Sequence, residues 1–190
     1  MNVDRISAAL QSRSPRDLLG ISYRPAAVLM PIQFGPEGAR FVLTQRAQGL
    51  SYHRGQVAFP GGRIDPADGG PLAAALRESQ EEIGLDPADV RVLGRLDQVP
   101  AAADFVVTPF VGAIPAPYRF RLNPNETEAV FTVPIAALLE PERLKIADRL
   151  SAHGQPIYHF YIDGWDIWGA TARMIAQFLE LVCGYRVAPQ

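Results

Sequence analysis

The amino-acid sequence predicts an α/β fold: a mixed β-sheet with helices packed against it. Three observations carry that expectation. Apolar, strand-like runs outnumber helical ones. Their order is irregular and lacks the steady strand–helix alternation of an all-parallel sheet. The 190 residues also hold 16 glycines and 17 prolines, turns too frequent for a helical bundle. The length fits one domain at about 100–200 residues each. With 48% hydrophobic residues the chain can build a sizeable core.

Ile6, Ala9, Leu10 and Arg13 recur at helical spacing and give a short amphipathic helix. Ser14-Pro15 reads as an N-cap with proline at the first helical position. Arg24 to Ile32 is an apolar strand, Pro36-Glu37-Gly38 a turn and Phe41 to Thr44 a second strand, so the two pair as neighbours. Val57 to Phe59 is a short strand that stops at the loop Pro60-Gly61-Gly62. Pro71 to Ile83 is the clearest helix. Val90 to Leu96 and Phe105 to Ile114 are strands, the second broken by Pro109. Glu128 to Val133 is a strand, and Pro134 opens a helical turn through Leu139. Tyr158 to Ile162 and Trp165 to Trp168 flank Asp163-Gly164, the strongest hairpin signal in the chain. Thr171 to Val182 closes as an amphipathic helix with Gly184 as its stop.

Lys plus Arg number 18 and Asp plus Glu 20, a net charge of −2. That balance argues against a nucleic-acid partner. Cys183 is the one cysteine, so no internal disulfide forms and a reducing compartment is expected. It reads as a small core residue. No apolar run reaches the length of a membrane span, and the start carries no secretory h-region. The expected location is the cytoplasm, with no membrane partner.

The chemistry concentrates in Arg77-Glu78-Ser79-Gln80-Glu81-Glu82-Ile83-Gly84-Leu85. Glu78, Glu81 and Glu82 stand at i, i+3 and i+4, within an arc of about 100° on one helix face. Leu72, Leu76 and Ile83 fall on another face, suited to the core. Like charges at this spacing repel, and a hard divalent cation with its preference for oxygen ligands removes the repulsion. A solvated acidic face would carry the same trio. The upstream Gly61-Gly62, where backbone can approach a ligand closely, distinguishes the two.

These residues resemble the signature of the Nudix hydrolases: Gly, five residues, Glu, seven residues, then Arg-Glu-apolar-any-Glu-Glu-any-Gly-apolar. Gly62 begins it here and Arg77 to Leu85 completes it. Asp68 stands in place of the first Glu, separated from Arg77 by eight residues where the signature has seven, and Ser79 replaces the apolar residue. Leu43-Thr44-Gln45-Arg46-Ala47 with Gly55 to Gly62 is similar to the extra motif of the coenzyme A pyrophosphatase branch, with Ser51 where that motif has an arginine. Val107 to Gly112 and Ile167 to Arg173 also resemble that branch, so the likeness spans roughly Arg24 to Leu181.

The resemblance implies a Nudix α/β/α sandwich over residues 24–190, with 1–23 as a helical segment packed on it. It implies metal-dependent hydrolysis of coenzyme A or its derivatives to adenosine 3′,5′-bisphosphate and a 4′-phosphopantetheine. Mg²⁺ or Mn²⁺ would be held by Glu78 and Glu82, with Glu81 and the Gly61 carbonyl. Glu81 is the first choice of general base and Glu128 the second, and Arg77 orients a glutamate or neutralises the helix. Arg46, His53, Gly55 and Phe59 fall to the substrate. The partner is thus a small nucleotide, and a homodimer is compatible with the family. His159 reads as structural. Trp165 and Trp168 suit either cross-strand packing or stacking on an adenine. The alternatives are the same chemistry on ADP-ribose, NADH or a nucleoside diphosphate sugar, and a non-catalytic nucleotide-binding module.

Overall fold

In the computed structural model, residues 1–18, 23–47, 55–102, 104–152 and 154–186 are described. Strand β1 (Arg24–Gly35) is the spine. A tight turn returns the chain as β2 (Gly38–Arg46), antiparallel to β1 from Ile32↔Phe41 to Gly35↔Gly38. Strands β3 (Val57–Ala58) and β4 (Gly61–Arg63) follow, β3 on β2 and β4 on the first half of β1. The glycine pair, expected as a loop, is therefore a strand that pairs Gly61 with Val28 and Gly62 with Ala27. Helix α1 (Val3–Gln11) precedes these strands, and α2 (Pro71–Ile83) crosses from β4 to β5 (Arg91–Arg95).

Strands β6 (Val99–Ala101) and β7 (Phe105–Ile114) complete one side of the sheet. β7 runs parallel to β1 over ten residue pairs, from Arg24↔Phe105 to Gln33↔Ile114, while the other pairings in this sheet are antiparallel. Pro109 does not break β7. Its carbonyl accepts from Leu96 N–H at 3.0 Å, so its nitrogen faces the edge where the partner changes from β6 to β5. The missing N–H falls at that gap, where the cost to the ladder is small. β8 (Thr127–Pro134) lies on the far edge of β2. A second antiparallel sheet comprises β9 (Leu144–Leu150), β10 (Pro156–Ile162) and β11 (Trp165–Trp168), and α3 (Gly169–Cys183) closes the chain. Asp163 and Gly164 both take positive φ in the β10–β11 turn, as the hairpin signal required.

The sheet buries both faces. Met30, Ile32, Phe41 and Leu43 point into a core shared with α1, α3 and the second sheet. Ala27, Leu29 and Val42 point the other way, against Ala74, Ala75 and Ile83 of α2. This is an α/β/α arrangement. Ser14 to Leu18 form no helix, contrary to the Ser-Pro signal. Arg13 and Arg16 instead bind the Asp97 carboxylate, and Leu18 N–H donates to Gln98. Ion pairing across the chain overrode the local capping preference. No described helix is long and apolar enough to cross a membrane.

Candidate active site

Helix α2 starts at Pro71, needs no N–H there, and ends at Gly84 with φ 66°. Gly84 N–H reaches Gln80 O and Leu85 N–H reaches Ser79 O, a glycine C-cap. The helix does not separate its acidic and core faces as the apolar spacing suggested. Leu72 and Leu76 are half-buried, and the innermost positions are Ala74, Ala75, Ser79, Glu82 and Ile83. Ser79 is fully buried, and its hydroxyl donates back to Ala75 O at 2.7 Å. A hydroxyl is tolerated there because its hydrogen bond is local.

The three glutamates occupy three environments. Glu82 is 4% exposed. Gly61 N–H donates to its Oε2 at 3.1 Å, and Arg46 Nη1 lies 3.4 Å from its Oε1. Glu78 is mostly buried, pressed against the α-carbon of Gly62 so closely that a Cβ there would lie 2.6–2.7 Å from its carboxylate. Glu81 has a half-exposed side chain. Burial pushes the Glu78 carboxyl up, against the pull of Arg77.

Arg77 organises the group. Its Nε and Nη2 clamp Asp68 at 2.9 and 3.1 Å, Nη1 donates to Glu78 and Glu81 at 3.1 and 2.9 Å, and Nη2 also reaches Arg63 O at 3.2 Å. All five guanidinium N–H groups are thereby engaged. No donor of Arg77 is left over. Asp68, displaced by one residue from the motif position, still makes the bidentate clamp. The Arg77 hydrogen bonds hold its carboxyl below the usual range, helped by Asp65 N–H.

Glu128 sits at an irregularity of β8. It is the extra residue of the bulge between Ala129 and Thr127 opposite β2, and it is exposed. The charge of Glu126 raises the carboxyls of both Glu78 and Glu82. The carbonyls at the end of α2 explain this. Ile83 O and Glu82 O accept from Arg121 N–H and Asn123 N–H, and Asn123 O then accepts from Glu126 and Thr127. A turn anchored on the helix end thus delivers Glu126. The Asn123-Pro124-Asn125 turn was its only sequence signal.

Four carboxylates (Asp68, Glu78, Glu81, Glu82) therefore meet two guanidinium groups (Arg46, Arg77), and Glu126 adds its charge to the field at Glu78 and Glu82. Among the described residues no three acidic, histidine or cysteine side chains converge on one point, and Arg77 Nη1 bonds both Glu78 and Glu81. The all-oxygen donors, the uncompensated charge and the tight Gly62–Glu78 approach fit a hard divalent cation.

Burial lifts the Glu82 carboxyl from 4.5 to about 7, with Glu78 and Glu126 adding to the rise and Arg46 and Gly61 N–H opposing it. The folded state thus holds an extra proton between those values. Glu82 contributes full stability below its unfolded pKa, and this is lost as pH rises to about 7, a change of roughly 3 kcal/mol. Metal-free protein in EDTA is expected to melt lower at pH 8 than at pH 5.5. Saturating Mg²⁺ should reverse the trend by taking the ionised form. Thermal melts across that range check it, and a flat EDTA profile counts against it.

A cavity of about 430 Å³ opens beside the cluster. Val28, Arg46, Phe59 and Gly61 line it on the carboxylate side, and the second sheet and α3 supply its other walls. Arg46 ends β2, and its Nε is buried without a partner. Phe59 is 2% exposed and packs edge-on to Phe41, so it is a core residue that also walls the cavity. Gly55 N–H bonds Arg46 O as the chain re-enters the sheet. His53 and Ser51 lie outside the described residues. Trp165 stacks on Phe131 of β8 at 4.2 Å, packing between the two sheets in place of the cross-strand packing expected within the hairpin, whereas Trp168 is 42% exposed and lines the cavity. His159 binds Asp166 at 3.0 Å across the hairpin, and burial pushes the Cys183 thiol up, away from nucleophilic use.

Residues 23–153 match the NUDIX domain. The chain belongs to the Nudix family. It is 39% identical over 160 residues to a protein of Escherichia coli named as an uncharacterized Nudix hydrolase, NudL, covering 83% of this chain and 82% of that one. NudL of Salmonella newport matches equally. Among solved structures, a MutT/nudix family protein from Enterococcus faecalis aligns with a TM-score of 0.60 at 12% identity, over 97% of this chain and 75% of that one. The NUDIX domain of NrtR from Shewanella oneidensis, solved with ADP ribose, aligns at 0.51 and 17% identity, over 64% and 79%. This Nudix chain is an enzyme, a hydrolase of diphosphate bonds, and Nudix hydrolases generally use divalent ions such as Mg²⁺ or Mn²⁺.

Proposed function

We propose that this Nudix hydrolase cleaves the diphosphate of coenzyme A or its derivatives. The observation that carries the reading is the excess of buried carboxylate charge beside a largely apolar cavity, joined to it through Arg46 and Gly61. A diphosphate brings more negative charge to this place, so substrate and helix meet only through cations. Glu78 and Glu82 would hold the cation, with Glu81, the Gly61 carbonyl and Glu126 beside them. A cation held there would supply polarisation of a phosphoryl group and a more acidic water. Arg77 keeps Glu78 and Glu81 in position. Glu81, the most exposed of the three, accepts the proton of the attacking water. Arg46, at the cavity edge, turns its buried Nε toward a phosphate oxygen. The choice of coenzyme A rests on the resemblance of the Arg46 and Gly55–Gly62 segments to that branch, and the cytoplasm is the location that agrees with it.

Purified protein with Mg²⁺ or Mn²⁺ is expected to convert coenzyme A to adenosine 3′,5′-bisphosphate and 4′-phosphopantetheine, resolved by chromatography. Glu126→Gln should slow that conversion at least tenfold more than Glu128→Gln does, about 1.4 kcal/mol of barrier. Faster cleavage of ADP-ribose or NADH than of coenzyme A would move the assignment to another nucleotide.

A further inference from the structure

The cavity carries positive charge that the hydrolysis of a diphosphate does not explain. Arg149 on β9 and Arg173 on α3 both line it. Among the described residues neither has a carboxylate in ion-pairing range, and Nη1 of Arg173 is buried with no hydrogen-bond partner. A guanidinium nitrogen removed from water and left unmatched is costly, so such atoms signal an absent acceptor. The first turn of α3 adds to the field. Gly169, Ala170 and Thr171 line the same cavity, and no side chain caps this helix, whose N-terminal end carries partial positive charge. Next to these groups stands Trp168, an indole 42% exposed, with His159 parallel to it at 6.1 Å. Arg46 and Gly61 join the cavity to the carboxylate cluster.

A bare diphosphate would occupy only the Arg46 and Gly61 side. We propose that Arg173, with Arg149, forms an anion subsite for a phosphomonoester on the nucleotide half of the substrate, whose base lies against Trp168. The inference rests on the diphosphatase reading and sharpens it. The nucleoside enters this cavity, and its extra phosphate sets specificity. At about 430 Å³ the cavity is within the range of small-ligand sites, about 300–1,000 Å³. Guanidinium groups suit this role because they bind phosphate through paired N–H donors.

Two measurements test this separately from the chemistry. Calorimetry in EDTA compares adenosine 3′,5′-bisphosphate with AMP. The full-length protein should bind the bisphosphate about 10- to 100-fold more tightly, and Arg173→Gln should erase most of that ratio while Arg173→Lys restores part of it. Arg149→Gln, on an exposed strand end, should reduce the ratio too and covers the case in which the helix variant does not fold. Turnover then compares coenzyme A with its 3′-dephospho form, and NADPH with NADH. Arg173→Gln should lower the ratio of kcat/KM within each pair. Equal binding of bisphosphate and AMP by the unaltered protein overturns the subsite, whatever the turnover. So does an equal loss on both members of each pair. A bisphosphate preference without cleavage of any of the four compounds overturns the diphosphatase reading and leaves the subsite standing.

Discussion

Glu82→Gln is expected to lower kcat by about three orders of magnitude, roughly 4 kcal/mol of barrier, without lowering the melting temperature in EDTA at pH 8. The two halves have one cause. Glu82 is 4% exposed, and its ionised form is held by one N–H at 3.1 Å and one guanidinium nitrogen at 3.4 Å. Those partners do not offset its burial, which is why the carboxyl rises to about 7. An amide of the same shape keeps an acceptor for Gly61 N–H and removes the buried charge. Without a cation, the substitution relieves the fold. With one, it removes an anionic oxygen ligand. It should also flatten the pH dependence of the EDTA melts. A kcat within threefold of the original would take Glu82 out of the metal site.

Gly61→Ala and Gly62→Ala should part company. Gly61 has φ 151°, and a Cβ there would collide with the Ala27 carbonyl oxygen and lie 2.5 Å from Val28 Cα. Both obstacles are backbone of the central strand, so neither can swing aside. The expected cost is about 3 kcal/mol or more, a melting temperature lower by about 6–12 °C for a domain of this size. The three atoms nearest a Cβ at Gly62 all belong to the Glu78 carboxylate, at 2.6–2.7 Å, and a side chain can rotate away. Gly62→Ala should leave stability within about 1 kcal/mol and instead displace Glu78, lowering turnover. Paired thermal melts and turnover assays separate the two. Equal melting temperatures for both variants would show that the β1–β4 contact is looser than described.

Much of this was legible along the chain, because helix and hairpin chemistry is local. Pro71 and Gly84 bound α2 by their own backbone preferences, and Asp163-Gly164 supplies the positive φ of its turn. Legibility failed where a partner distant in sequence decided the outcome. Gly61 and Gly62 look like a loop until β1 offers them a ladder. Pro109 looks like a break until its nitrogen is seen to face a gap between partners. Glu126 stands outside the spaced carboxylates of α2, and the hydrogen bonds from the last carbonyls of that helix to the 121–127 turn are what bring its charge near Glu78 and Glu82. Arg149 and Arg173 lie far from the motif and share a cavity only because α3 packs against the second sheet.

By itself the sequence determined the family, the helix that bears the carboxylates and its ends, since these depend on spacing and on neighbours within a turn. The tertiary structure alone decided which glutamate loses its water, what Arg77 binds and where the second group of cations faces. Desolvation and charge proximity depend on distance through space, and chain separation does not encode that distance.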